Sequence, residues 1–287
     1  MINALTDDGI SQVFRVALAD DTIVETSDTA LIFLDMTGLA TRIKDLQKHF
    51  PSGTLHAVAI KANPLVKILS EILALGAGLE AASLPELCIA ANAGADPPRI
   101  VFDSPAKTVH DLLRALTIGC HINADSIDEL DRIARIKDGH NTSAAGSIGV
   151  RINPQVGAGT IAMTSVAAQY SKFGVNIGDQ RADLIDRFLR YDWLTGVHVH
   201  TGSQGCSPEL LLDGVGILLD FVHEADTAMR AAGLDRQVTV FDLGGGLPVS
   251  YHHDTKPYSM EEYATHLRER FPELFDGRLR LITEFGR

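Results

Sequence analysis

Short apolar runs rich in β-branched residues alternate with amphipathic stretches along most of the chain. The apolar runs predict strands, and the amphipathic stretches carry apolar residues every three to four positions, as one face of a helix does. The predicted strands are 55–60, 79–82, 99–102, 121–124, 148–152, 195–200, 238–243 and 279–284. The predicted helices are 65–74, 85–93, 109–117, 127–136, 181–190, 208–232 and 260–271, and a serine three residues before a glutamate, as at Ser126 and Glu129, marks a helix start.

This alternation predicts an α/β fold in which a parallel sheet closes into a (β/α)8 TIM barrel over residues 31–287. An open doubly wound sheet is the alternative, although no GxGxxG motif follows the first predicted strand. Residues 1–30 precede the barrel and contain a β-rich run at 14–18. Residues 153–180 separate a strand from its helix without a clear period, and a connection that long is often an active-site flap.

Composition narrows the possible functions. The 287 residues are 45% hydrophobic with a net charge of -12 and no basic run, so a folded protein that does not bind nucleic acid is expected. No apolar stretch is long enough to cross a membrane, and the first residues are no signal peptide. Three cysteines without CxxC spacing indicate a reduced, cytoplasmic location.

Candidate chemistry gathers at the carboxyl ends of the predicted strands, where barrel enzymes place their active sites. Lys61 directly follows the first strand. Burial there would lower the pKa of its amine and make it a nucleophile able to form a Schiff base. The alternative is a lysine that reaches solvent from a strand end.

The last three strands end in complementary groups. His198 and His200 share one face of the sixth strand, with Ser203 just beyond it. The triplet Gly244–Gly246 follows the seventh strand, where backbone NH groups could cradle a phosphate, and Glu284 and Arg287 follow the eighth. An amine, a carboxylate, an imidazole and a phosphate cradle are the parts of a pyridoxal-phosphate site.

Eight segments together resemble the fold type III pyridoxal-phosphate decarboxylases, the group of diaminopimelate, ornithine and biosynthetic arginine decarboxylases. The segments run in family order and cover nearly the whole barrel. They are VAIKANP (58–64), GLEAASLPEL (78–87), INADSIDEL (122–130), VRINP (150–154), SKFGV (171–175), HTGSQ (200–204), FDLGGGLP (241–248) and TEFGR (283–287).

The resemblance implies a homodimeric decarboxylase of a basic or diamino acid, similar to diaminopimelate decarboxylase. Pyridoxal 5'-phosphate would be its cofactor, with no metal. Lys61, His200 and Glu284 would be catalytic: Lys61 would hold the cofactor as an internal aldimine, His200 would stack on its ring, and Glu284 would pair with the pyridine nitrogen. Ser203, Gly244, Gly245, Gly246 and Arg287 would hold the phosphate, while Glu80 and Arg151 would orient the site.

The chain also departs from the family pattern. Phe285 stands where the family usually has proline, and the segment between Gly157 and Ser171 lacks the expected His and Thr-Gly pattern. In the family a β-domain follows the barrel and supplies a Cys, an Asp and a Tyr, whereas this sequence stops at Arg287. Residues 1–30 would then be part of an incomplete β-domain, and we expect this chain to bind cofactor but to decarboxylate poorly.

Three other functions remain open. A pyridoxal-phosphate homeostasis protein shares the cofactor-binding barrel without turnover. Amino-acid racemases share the barrel and the lysine, but an arginine faces their pyridine nitrogen where Glu284 is expected here. A metal-dependent barrel hydrolase could use His198, His200 and a carbamylated Lys61, although such enzymes usually carry their HxH motif on the first strand.

Overall fold

The computed structural model describes residues 6–23, 26–140, 146–157, 167, 171–204, 206–250 and 258–286. It divides into two compact units, residues 1–45 and 46–287. Among the described residues, no helix is long and apolar enough to cross a membrane.

The first unit contains helix α1 (Asp7–Ala19), so the expectation of a β-rich run at 14–18 is wrong. The Thr6 side chain caps the helix by accepting a hydrogen bond from the Gly9 amide, and Asp7 and Asp8 place negative charge in the first turn. These start signals outweigh the β-branched residues. The boundary at residue 30 and the assignment of this segment to a β-domain stay predictions. A second helix, α2 (Met36–His49), was not predicted.

All eight predicted barrel strands are present, and they are parallel. They are β1 (Leu55–Ala59), β2 (Gly78–Ala81), β3 (Ile100–Phe102), β4 (His121–Ala124), β5 (Ile148–Asn153), β7 (Leu194–His198), β8 (Val240–Asp242) and β9 (Arg280–Thr283). Pairing runs from β4 through β3, β2, β1, β9, β8 and β7 to β5, and a β4–β5 pairing closes the barrel. The (β/α)8 barrel prediction is confirmed. A short strand, β6 (Val175–Asn176), pairs with β5 outside the ring and was not predicted.

The predicted helices are confirmed with small shifts at their ends. They are α3 (Val66–Ala74), α4 (Leu84–Asn92), α5 (Val109–Ile118), α6 (Ile127–Gly139), α7 (Ile177–Arg190), α8 (Pro208–Ala231) and α9 (Met260–Arg270). Most of the strand residues are buried because helices cover the outside of the barrel and side chains fill its inside. The carboxyl ends of the strands therefore remain the accessible end of a packed scaffold.

Candidate active site

The strand ends surround a cavity of about 840 Å³. Six of the residues predicted from the sequence line it together: Lys61, Arg151, His200, Ser203, Gly246 and Glu284. They come from the ends of β1, β5, β7, β8 and β9 and from the segments that follow those strands. The barrel thus brings together residues that are more than 220 positions apart in the chain.

Lys61 lies in a single 3-10 turn (Ile60–Ala62) that follows β1. Its Nζ donates a hydrogen bond to Glu80 Oε2 at 3.2 Å, and Glu80 is buried on β2. Burial lowers the pKa of Lys61, but the carboxylates of Glu80, Asp103 and Glu284 outweigh it, so the net pKa is raised. The expectation of a lowered pKa is therefore wrong for this structure, because the cost of burial is offset by neighbouring negative charge.

A buried cluster of His198, Asp103 and Glu284 forms the floor of the site. His198 Nε2 lies 3.4 Å from Glu284 Oε2 and 3.6 Å from Asp103 Oδ2, and the imidazole has no solvent exposure. Burial lowers the pKa of His198, which keeps the ring neutral near pH 7. The strand ends of β3, β7 and β9 thus place two carboxyl groups against one neutral imidazole.

The pKa values of the two carboxyl groups in this cluster are shifted in opposite directions. Burial raises the pKa of Glu284 well above its ordinary value, and the charges of Asp103 and Asp242 raise it further. Burial also raises the pKa of Asp103, but the adjacent His198 and the charge of Arg151 outweigh it, so the net pKa of Asp103 is lowered. Because like charges this close oppose each other, a single proton shared by the pair favours Glu284 over Asp103.

Arg151 provides positive charge in the wall of the cavity. Its Nη1 lies 4.0 Å from Asp103 Oδ1 and 3.9 Å from Asp125 Oδ1, and its guanidinium stacks over the Phe173 ring at 4.9 Å. Burial raises the pKa of Asp125 to about 6 although Arg151 opposes the shift. Arg151 therefore acts as the counter-charge for two buried carboxyl groups, while its role in orienting the cofactor site stays a prediction.

The three glycines after β8 form a turn that side chains could not occupy. Gly244 and Gly246 have φ of 63° and 110°, in the left-handed region that favours glycine. A Cβ at Gly245 would overlap the carbonyl oxygen of Glu284, so the turn packs directly on the end of β9. The Gly245 amide donates to His200 Nδ1 at 3.2 Å, which fixes the imidazole beside the turn.

Two predicted features fall outside the described residues. Arg287 is one, and its phosphate-binding role stays a prediction. The predicted flap at 153–180 is described only at 153–157, 167 and 171–180. Three residues of the site were not predicted: Asp103, Asp125 and Phe173. Asp103 directly follows a predicted strand, and Phe173 lies in the segment SKFGV. The strand-end position and the motif could therefore have identified these two residues from the sequence.

The fold and the site define a barrel of the pyridoxal-phosphate-binding class. Residues 37–287 match the family described as pyridoxal-dependent decarboxylase, pyridoxal binding domain. The chain belongs to this family, so the family prediction and the cofactor prediction, pyridoxal phosphate, are confirmed.

Several curated relatives are diaminopimelate decarboxylases. The chain is 36% identical over 241 residues to that of Pseudomonas aeruginosa, an overlap of 82% of this chain and 55% of the relative. It is similar in fold to the Helicobacter pylori diaminopimelate decarboxylase complexed with L-lysine, with a TM-score of 0.79 and 26% identity over 96% of this chain and 66% of that one. The chain spans about half the length of the curated relatives it matches.

A more distant structure agrees in fold alone. The lysine/ornithine decarboxylase of Vibrio vulnificus complexed with putrescine gives a TM-score of 0.74 at 21% identity, over 99% of this chain and 68% of that one. This similarity shows that the two chains share the barrel fold, and no residue role is inferred from it.

The donor atoms of the site fit the family's cofactor. Glu284 Oε1 is buried without a hydrogen-bond partner among the described residues, as expected of a carboxyl oxygen that is completed by a ligand atom. The turn Gly244–Gly246 presents backbone rather than side chain, and Lys61 offers a primary amine at the cavity. Ligand atoms of His198, His200 and Glu284 also lie within 4.8 Å of one another and could reach a metal ion. Family membership favours the cofactor over the ion for these residues.

Proposed function

We propose that this chain forms the cofactor-binding part of a pyridoxal-phosphate-dependent decarboxylase for a basic or diamino acid, of the diaminopimelate type. One observation carries the proposal: Lys61 and the buried Glu284 line one cavity, and Gly246 of the glycine turn lies in its wall. An amine that can attach the cofactor thus shares a cavity with a carboxyl that can control the cofactor's electronic state.

Each residue has a role in this proposal that follows from its chemistry. Lys61 would attach the cofactor, Gly244–Gly246 and Ser203 would bind its phosphate, His200 would lie against its ring, and Glu284 would pair with its pyridine nitrogen. The cofactor supplies an electron sink for the carbanion that decarboxylation leaves. Glu80 accepts a hydrogen bond from the Lys61 ammonium, and the charge of Arg151 keeps Asp103 and Asp125 oriented. A buried floor of His198 and Asp103 excludes water beneath Glu284.

The curated relatives and the acidity of the cavity support a basic or diamino substrate. The Pseudomonas aeruginosa relative is a diaminopimelate decarboxylase, and the Helicobacter pylori structure is complexed with L-lysine. Glu80 and Asp103 place negative charge near the Lys61 amine, and this charge favours a ligand that carries an extra ammonium group. A homodimer in the cytoplasm remains part of this proposal.

Borohydride trapping tests the cofactor site. The chain is incubated with pyridoxal phosphate, reduced with borohydride and digested, and the pyridoxyl group is located by mass spectrometry. We expect the label on Lys61 and its loss in Lys61→Ala. Lys67→Ala is the matched control, since Lys67 lies six residues away with its side chain 84% exposed and paired with Glu71. Label on other lysines in the wild type, or retention in Lys61→Ala, would overturn the assignment.

Carbon dioxide release tests the reaction and the substrate. The whole polypeptide that the gene encodes is assayed with meso-diaminopimelate, lysine, ornithine and arginine, and chiral chromatography follows any racemisation. Release from diaminopimelate above the other three supports the diaminopimelate type. Racemisation without release would indicate the racemase alternative, and cofactor labelling without either reaction would indicate the homeostasis alternative.

A further inference from the structure

A line of buried polar side chains crosses the inside of the barrel and ends at the glycine turn. Ser147 Oγ lies 2.7 Å from His121 Nδ1, and His121 Nε2 lies 2.9 Å from Asn123 Oδ1. Asn123 Nδ2 donates to Asp242 Oδ2 at 2.8 Å, and the Gly244 amide donates to Asp242 Oδ1 at 2.9 Å. Because β4 and β8 are not neighbours in the barrel, the bond from Asn123 to Asp242 spans its interior.

The direction of donation along this line is fixed by its chemistry. Asp242 accepts at both oxygens, so the Asn123 amide nitrogen must point to it and the Asn123 carbonyl must accept from His121. His121 then carries its proton on Nε2 and accepts from the Ser147 hydroxyl at Nδ1. Burial lowers the pKa of His121 to about 4, which keeps the ring neutral and allows this arrangement near pH 7. Every donor therefore points toward Asp242, and each bond polarises the next.

Two glycines leave room for the line. A Cβ at Gly149 on β5 would come within 2.7 Å of Asn123 Oδ1, and one at Gly196 on β7 would come within 3.4 Å of His121 Cε1 and 3.1 Å of the Gly149 Cα. His121 and Asn123 are each only 2% exposed, and Asp242 is fully buried. A parallel barrel is ordinarily filled by branched apolar side chains, so a polar line with space made for it is a specific feature of this interior.

We propose that Asn123, His121 and Ser147 are positioning residues that hold Asp242 so that its carboxylate sets the turn Gly244–Gly246 for the cofactor phosphate. The Asp242 carboxylate connects Asn123 to the turn. Its Oδ2 accepts from the Asn123 side chain, and its Oδ1 accepts from the Gly244 amide. Gly244 needs its positive φ to fit beneath the Val199 carbonyl, where a Cβ would overlap that oxygen. The inference rests on the proposed role of the glycine turn.

The principal variant is Asn123→Leu, which keeps the branching and the number of side-chain heavy atoms and removes the donor to Asp242. We expect its affinity for pyridoxal phosphate to fall about tenfold or more, the loss typical of a hydrogen bond to a charged group. Its affinity for pyridoxal, which lacks the phosphate, should stay near that of the wild type. Both are measured by titration of the cofactor's absorbance.

Two further variants keep the result interpretable. Ser147→Ala changes the half-buried far end of the line, and we expect a loss in the same direction but smaller. Asp131→Asn is the matched control, because Asp131 binds Arg187 and Tyr191, and among the described residues no hydrogen bond joins it to the turn. Its ratio of pyridoxal phosphate to pyridoxal affinity should equal that of the wild type.

Hydrogen exchange of the peptide containing residues 241–247 tests the same coupling without any cofactor. We expect faster exchange at the Gly244 amide in Asn123→Leu and unchanged exchange in Asp131→Asn. Unchanged exchange in Asn123→Leu would overturn the inference, as would equal losses of affinity for pyridoxal phosphate and pyridoxal. A wild-type chain that protects Gly244 but leaves Lys61 unlabelled would refute the proposed function and, with it, the phosphate part of this inference.

Discussion

Replacing Lys107 with methionine is expected to destabilise the barrel by about 3–5 kcal/mol, the usual effect of removing one member of a buried ion pair. The Lys107 side chain has no solvent exposure, and its Nζ lies 2.8 Å from Glu129 Oε1. The same ammonium donates to the carbonyl oxygens of Ser104 at 2.5 Å and Asn123 at 2.9 Å. Lys107 thus ties the segment after β3 to β4 and α6.

The magnitude follows from what the substitution leaves behind. Glu129 is only 5% exposed in its side chain, so its carboxylate would remain buried without its cation. The Ser104 and Asn123 carbonyls would each lose a donor, at about 1–3 kcal/mol for a buried unsatisfied group. Removing both charges in Lys107→Met/Glu129→Met should recover about 2 kcal/mol, because only the carbonyls then lack a partner.

Urea denaturation followed by circular dichroism measures these differences. The matched control is Lys67→Met, since Lys67 and Glu71 form an ion pair at 2.6 Å whose side chains are 84% and 43% exposed. An exposed pair contributes about 0–1 kcal/mol. If Lys107→Met costs no more than Lys67→Met, or if the double variant is less stable than Lys107→Met, the buried pair does not stabilise the fold as argued.

Three further predictions concern the site and the pH dependence of stability. Under the proposed function, Glu284→Gln in the whole polypeptide should raise the activation free energy of decarboxylation by about 3–4 kcal/mol, the size of a preorganised electrostatic contribution, while Lys61 is still labelled. An unchanged rate would show another role for Glu284. Gly245→Ala should weaken pyridoxal phosphate binding because its Cβ would overlap the Glu284 carbonyl, whereas Gly139→Ala, with open space around it, should bind normally in the same titration. Burial lowers the pKa of His56 from 6.5 to about 4. As the pH falls below 6.5, the unfolded chain therefore binds a proton at His56 that the folded chain does not, and the folded state loses stability until the pH reaches about 4. Between pH 7 and 5 the loss is about 2 kcal/mol, so urea midpoints should fall less in His56→Gln than in the wild type, and equal falls would contradict the assignment.

The barrel could be predicted because its signals are local. Each strand is a short apolar run and each helix carries its own periodicity, so eight alternations leave few other architectures. Helix α1 was missed because its β-branched residues resemble a strand when read alone, although Thr6 and the acidic first turn favour a helix. Local propensity decides between such alternatives only weakly.

The electrostatics of the site could not be predicted from the same signals. The pKa of Lys61 depends on Glu80, Asp103 and Glu284, which reach it from three other strands, and no spacing along the chain reveals their distances. Glu129 shows the converse. Its position three residues after Ser126 indicates a helix cap, and the Ser126 side chain does accept from the Glu129 amide. The Glu129 carboxylate instead pairs with Lys107, a contact that only the packed barrel creates.

The segment 171–174 shows how a motif acquires a physical reason once its neighbours are known. Phe173 lies against the Arg151 guanidinium at 4.9 Å, and a cation over an aromatic face is favourable when both are desolvated. Gly174 has φ of 73°, and a Cβ there would lie 3.1 Å from Arg151 Cγ and 3.0 Å from the Asn153 amide nitrogen. The Gly174 amide also hydrogen-bonds Asp125, the second carboxylate beside Arg151. Phe173 and Gly174 therefore act together. They let the chain pass close over Arg151, and they keep the Arg151 guanidinium between Asp103 and Asp125.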